Sequence, residues 1–206
     1  MSISVLRDCT AMTDLRMEEI LSYIKTHLPP KRFSHSLGTA ELCRNLADRF
    51  GLDANKAFLA GLLHDIAREF SGKKLKEEAK RAGIQFTALE EKNPILLHGK
   101  VAAFLVRSQF GIEDADILEA IANHSLGKPG LNPYGKILFV ADSIEPSRTF
   151  IDERFRSRIL SLSLDEMVLS LLEEEKKYRN NLAPITQALY DELKGKVLEK
   201  AQKNQI

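Results

Sequence analysis

From Ala57 to Leu63 the chain is uninterruptedly apolar, one glycine included, and the next two residues are His64 and Asp65. Asp53 stands where an N-cap belongs, so the stretch reads as a helix from Ala54 to about Phe70. A helix that is apolar on all sides must be central and buried. Other elements therefore have to wrap around it, and it carries a histidine and an aspartate into that interior. An unpartnered buried aspartate costs several kcal/mol. The interior must supply a compensating charge, and a metal ion is one candidate.

The rest of the chain has the same helical period. Met17, Ile20, Leu21, Ile24 and Leu28 form one stripe over Leu15 to Leu28, which Pro29 and Pro30 terminate. Further helices are expected over Arg32 to Phe50, Lys73 to Ala82, Ile95 to Phe110, Asp114 to His124 and Tyr134 to Ile144. Ser163 and Glu166 form a capping-box pattern for a helix through about Arg179, and Pro184 suits the first position of a last helix. Thr87 to Pro94 and Ser125 to Pro133 read as loops. No segment keeps a period of two for long and β-branched residues are sparse. The expectation is a single all-α bundle of about ten helices, with residues 1–12 as a flexible extension and residues 13–206 as the domain.

Composition removes some functions. Thirty lysines and arginines balance 29 aspartates and glutamates, for a net charge of +1. No extended basic field exists to bind a nucleic-acid polymer. The apolar stretches are too short to span a bilayer. Cys9 and Cys43 form neither a CxxC pair nor a disulfide framework, which suits a reducing cytoplasm.

Four of the five histidines, His35, His64, His98 and His124, sit at informative places. Taken singly, each has an ordinary explanation, and Asp142 could simply pair with Arg148. Taken together they are harder to dismiss. His64-Asp65, His98, His124 and Asp142 each emerge from a separate apolar segment. Mixed imidazole and carboxylate donors suit iron, manganese, zinc or nickel better than calcium. Lys100, in His98-Gly99-Lys100, lacks the glycines of a Walker motif.

His35, the His64-Asp65 doublet and Asp142 resemble, in order, the pattern of HD-domain phosphohydrolases. His98 and His124 resemble the subset with a two-metal centre. Arg32-Phe33-Ser34-His35-Ser36-Leu37-Gly38, Leu63-His64-Asp65-Ile66-Ala67, His98-Gly99, His124-Ser125-Leu126-Gly127 and Ala141-Asp142-Ser143-Ile144-Glu145-Pro146-Ser147-Arg148 look like the bacterial YqeK family. The resemblance covers about residues 16 to 195. One departure is Asp191, which stands where the segment containing Pro184, Thr186 and Tyr190 is expected to continue with asparagine.

The resemblance implies an HD-domain bundle with a buried two-metal site. It implies a hydrolase that cleaves diadenosine tetraphosphate symmetrically to two ADP through a metal-activated water. His35, His64, Asp65 and Asp142 would hold the first metal. Asp65 would bridge to a second, held also by His98 and His124. Family precedent favours iron; the ligand types alone equally accommodate manganese or another divalent transition metal. Asp65 and Arg148 are the catalytic candidates, and Arg32, Lys100, Ser125 and Arg148 the substrate-binding ones. An arginine suits phosphate because its planar donors bind it bidentately. The runner-up substrates are a nucleoside mono- or triphosphate, a cyclic dinucleotide or a guanosine alarmone. The missing GYP tripeptide after the HD doublet argues against the cyclic-dinucleotide branch. The C-terminal helices and family precedent allow a homodimer.

Overall fold

The computed structural model describes residues 17–178 and 181–203. The extension before about Met12, Cys9, the expected helix start at Leu15 and the expected helix end at Arg179 lie outside them. The described residues contain no strand and eleven α-helices: α1 (17–27), α2 (Pro30–Arg49), α3 (Ala54–Leu63), α4 (Gly72–Arg81), α5 (Ala88–Lys92), α6 (His98–Phe110), α7 (Ala115–Asn123), α8 (Pro133–Ile144), α9 (Glu153–Leu160), α10 (Leu164–Tyr178) and α11 (Pro184–Lys203). Among these, no helix is long and apolar enough to cross a membrane.

The all-apolar stretch is central, as its composition requires. α3 packs against α2, α7 and α8, and Ala57, Ala60, Leu62 and Leu63 are fully or almost fully buried. Gly61 permits the closest approach: a Cβ there would lie 2.7 Å from the Ala40 Cα on α2. Asp53 caps α3, accepting from the amides of Asn55 and Lys56. Pro30 both follows the end of α1 and starts α2, because a proline fits the first helical turn but no later one.

Three expectations change. The central helix stops at Leu63, with His64 at its C-cap, instead of running to Phe70. The His64 Nδ1 lies 2.6 Å from the Gly61 carbonyl, the acceptor that the Asp65 amide would use in a continuing helix. Tight i+3 turns follow, with Arg68 donating to Asp65 and Phe70 to Ala67. The helix expected from Ile95 begins instead with a 3-10 turn, Pro94–Leu97, and His98 Nδ1 lies 2.5 Å from the Ile95 carbonyl. Thr87 to Pro94 is not all loop. Thr87 and Glu90 close a capping box around α5, a Thr-x-x-Glu signature that was present in the sequence.

The sequence pattern had no helix between Pro146 and Ser161, yet α9 forms there. It is short and charged, and its Asp152 N-cap and Ile159 anchor hold it. Its Arg156 is buried and donates to the carbonyls of Ile144, Glu145 and Arg148. Those carbonyls lie at the end of α8 and just beyond it, and Glu145 and Arg148 also accept from the amides of Arg148 and Ile151. α9 thereby fixes the segment that carries Asp142, Glu145 and Arg148.

Candidate metal centre

The six residues expected from the sequence as metal ligands come together at one place. His35 comes from α2, His64 and Asp65 from the end of α3, His98 from the start of α6, His124 from the end of α7 and Asp142 from α8. All four imidazoles and Asp65 are buried. The rings pack edge to face, with centroids 5.3 Å apart for His35 and His64, 4.9 Å for His64 and His124, and 4.8 Å for His98 and His124. Gly99 makes room: a Cβ there would lie 2.8 Å from the Ile121 carbonyl and 3.1 Å from His124 Nδ1. His27 stays apart on α1, stacked on Tyr23.

Each ring is aimed by its Nδ1. His64, His98 and His124 sit at helix ends, where each Nδ1 meets the carbonyl three residues earlier, at 2.6, 2.5 and 2.8 Å. A carbonyl only accepts, so these nitrogens carry a proton and Nε2 is the atom each ring turns inward. His35 Nδ1 instead meets Glu145 Oε1 at 2.9 Å. Imidazole ligands are commonly oriented by such carbonyl and carboxylate partners.

Asp65 divides its two oxygens. Oδ2 lies 3.5 Å from His64 Nε2 and 3.9 Å from His35 Nε2. Oδ1 lies 3.3 Å from His98 Nε2 and 3.7 Å from His124 Nε2. Asp142 Oδ1 completes the first side, 3.0 Å from His35 Nε2 and 3.7 Å from His64 Nε2. Two triads have ligand atoms all within 4.8 Å of one another: His35, His64 and Asp142, and His64, Asp65 and His124.

The donor set fits a divalent cation. The Nε2 atoms of His98 and His124 face each other at 3.0 Å, both with Nδ1 protonated. Two lone pairs at that distance repel unless positive charge lies between them. His64 Nε2 is buried without a hydrogen-bond partner. Electrostatics point the same way. Burial opposes the charge on Asp65, but His64, His98 and His124 outweigh it and hold its pKa well below the usual carboxylate range. Asp142 is likewise held low despite burial, by His35 and His64. Burial and the charges of His64 and His98 push His124 down to about 3. Burial also works against charge on His64, but Asp65 and Asp142 raise it to about 9. The cluster thus combines charged carboxylates, a neutral imidazole and a site that attracts positive charge.

The expected substrate contacts separate. Arg32 Nη1 donates to Asp65 Oδ2 at 2.8 Å, and its Nε to Glu69 at 3.2 Å. Arg148 Nη2 donates to Asp142 Oδ1 at 2.7 Å. The Ser125 hydroxyl lies 3.2 Å from His98 Nε2 and 3.1 Å from His124 Nε2. These three residues line a hollow of about 310 Å³ over the cluster. Lys100 does not line it. Its ammonium is 2.6 Å from the buried Glu90, in the wall of a neighbouring apolar cavity of about 300 Å³.

Two residues went unassigned from the sequence. Glu145 is fully buried, and its carboxylate accepts from His35 and from the Ser147 amide and hydroxyl. Burial alone would raise its pKa, yet these bonds leave it below the usual value. Its sequence signal was a carboxylate at the end of the apolar Ile137–Ile144 run. Arg68, three residues after Asp65, adds a third arginine to the central hollow; the early end of the central helix turns it there.

Histidines and aspartates converging from separate helices on one buried cluster define a metal-dependent HD-type protein. The HD domain model matches residues 32–147, a span containing all six ligand-type residues, and the chain belongs to the HD domain family. Divalent metal binding is a property of that domain. Within the family, the chain is 38% identical over 141 residues to a protein from Bacillus subtilis named bis(5'-nucleosyl)-tetraphosphatase, symmetrical. That match covers 68% of this chain and 75% of the relative. A protein of the same name from Halalkalibacterium halodurans is 33% identical over 186 residues, covering 84% of this chain and 96% of that one. A crystal structure from Clostridium acetobutylicum, described as a predicted HD superfamily hydrolase involved in NAD metabolism, superposes with a TM-score of 0.81 at 29% identity. It covers 87% of this chain and 97% of that chain.

Proposed function

We propose that the chain is a symmetrical bis(5'-nucleosyl)-tetraphosphatase, hydrolysing diadenosine tetraphosphate at its central anhydride to two ADP. The observation that carries this most directly is the division of the Asp65 oxygens between two sets of imidazoles, beneath a hollow lined by three arginines. His35, His64, Asp142 and one Asp65 oxygen would hold one divalent ion; His98, His124 and the other Asp65 oxygen would hold a second. Family precedent favours iron, and the ligand types also accommodate manganese or another divalent transition metal. Bound there, the ions supply Lewis acidity and lower the pKa of water toward neutrality.

The protein's own groups position the substrate. Arg148 donates to Asp142, and Arg32 to Asp65 and Glu69; each keeps further donors for phosphoryl oxygens, which suits charge that spreads over phosphate in the transition state. Arg68 adds a third guanidinium, and the Ser125 hydroxyl sits beside the His98 and His124 side of the cluster. The apolar cavity shares Leu96 and Ser125 with the central hollow, so a nucleoside enclosed there keeps its phosphates over the ligands. Lys100 lines this cavity and is held there by its bond to Glu90. A dinucleoside polyphosphate, not a nucleic-acid polymer, is the partner, and a free buried Cys43 is in keeping with work in the cytoplasm.

The test is product analysis of the metal-loaded protein with diadenosine tetraphosphate, alongside elemental analysis. ADP as sole product with about two metals per chain supports the reading; AMP plus ATP, or no turnover, rejects it. Asp65→Ala is expected to lose both metal and activity. Full metal content in that variant would remove the bridging role.

A further inference from the structure

A symmetrical dinucleotide cut at its centre needs space for a nucleoside diphosphate on both sides of the reacting anhydride. The apolar cavity serves one side only. On the opposite flank lies a second hollow of about 580 Å³. Arg32 and Arg148 line both it and the central hollow, so the two adjoin through the guanidiniums that meet phosphate. Both flanking spaces are within or near the usual size range of small-molecule sites.

The chemistry of the second hollow is distinct. Lys31 lines it and has no ion-pair partner among the described residues. Phe150 lines it too, 74% exposed, with the Arg148 guanidinium 6.0 Å from its ring centroid. An isolated exposed phenylalanine is ordinary on a protein surface. Lys31, Arg32 and Arg148 share the wall with two carboxylates, Glu69, which accepts from Arg32, and the buried Glu145. A ring at the edge of such a hollow, which opens toward the metal cluster, has a specific use. Aromatic side chains stack on nucleobases, and do so with little base preference because every base has a π-face.

We propose that this hollow is the second nucleoside diphosphate subsite, with Phe150 stacking on the far nucleobase and Lys31 beside its phosphates. The proposal rests on the tetraphosphatase reading and adds an asymmetry to it. One base is enclosed by apolar walls, while the other is held by a single exposed ring and by phosphate charge. The far base is therefore read more loosely than the near one.

The test compares two ligands on metal-loaded protein: ADP, and a non-hydrolysable methylene analogue of diadenosine tetraphosphate. Phe150→Ala is expected to weaken the analogue about tenfold, the order of one lost stacking contact, and to leave ADP unchanged. Phe150→Tyr is expected to bind both like the parent. Because the ring is mostly exposed, its truncation removes no core packing. Unchanged analogue binding in Phe150→Ala, or equal weakening of analogue and ADP, overturns the subsite. Product analysis of the parent protein judges the underlying reading separately. AMP plus ATP would reject central cleavage, whereas the ratio of the two affinities decides the role of Phe150.

Discussion

Replacing Glu145 by glutamine should weaken metal binding without unfolding the protein. The carboxylate accepts on both oxygens, from His35 Nδ1 at 2.9 Å on Oε1 and from the Ser147 amide at 2.7 Å on Oε2. Glutamine has one acceptor oxygen and one NH₂ donor. If the oxygen faces Ser147, the NH₂ faces His35, and the ring must keep its proton on Nε2, where it cannot ligate. If the oxygen faces His35, the NH₂ meets the Ser147 amide and one bond is lost. The side chain has no third choice, because Oε2 lies 2.6 Å from where a Gly38 Cβ would be and α2 closes over it. Losing such a partner of a ligating histidine typically costs about 10–100-fold in metal affinity, or about 1.4–2.7 kcal/mol. Competitive titration with calibrated chelators measures the affinity, and circular dichroism checks the fold. Turnover should recover partly at excess metal. A folded Glu145→Gln protein with metal affinity within about twofold of the parent, far below the loss expected of a ligand partner, would refute the orienting role.

Other consequences can be measured in the same way. Removing metal with a chelator should lower Tm by about 5–10 °C if free metal was near 100 times Kd, since that ratio corresponds to about 2.7 kcal/mol of stabilisation. A melt unchanged after verified metal removal would contradict the need for positive charge between His98 and His124. Gly127→Ala should cost about 2–3 kcal/mol in a chemical denaturation series, because the residue has φ +65° and its Cβ would lie 2.4 Å from Leu189 Cδ2. An unaltered midpoint would show that the loop after His124 relaxes freely. Glu90→Gln should destabilise by about 1–2 kcal/mol at neutral pH. Burial raises the Glu90 pKa, but Lys100 and Thr87 outweigh it and leave it lowered. Its charge therefore stabilises the fold above the ordinary carboxylate pKa, and the difference from the parent should shrink as pH falls through that range. A gap independent of pH would assign the loss to packing.

Much of the centre was readable before any coordinates. Histidines and aspartates leaving separate apolar segments singled out His64, Asp65, His98, His124 and Asp142, since a buried polar group needs a reason to be there, and the family resemblance added His35. Helix ends at those residues were less readable. The expected continuations through His64 and across His98 followed apolar periodicity, but each imidazole takes the carbonyl that the next amide would have used. That competition is a side-chain effect which a periodicity count does not register. The pairing of Lys100 was unreadable for a related reason: a lysine beside a ligand looks available, and only the fold brings the buried Glu90 within 2.6 Å of it.

The sequence alone determined the helical class and the central position of the Ala54–Leu63 helix, and its family resemblance supplied the candidate ligand set. The first two depend on local periodicity, caps and prolines, all of which act within a few residues. Tertiary structure decided which Asp65 oxygen faces which imidazole, the pairing of His35 with Glu145 across 110 positions, and the two unlike hollows flanking the arginines. Those are distances between residues remote in the chain. They exist only once α2, α3, α6, α7 and α8 have packed, because packing sets side-chain separations to fractions of an ångström that no local pattern encodes.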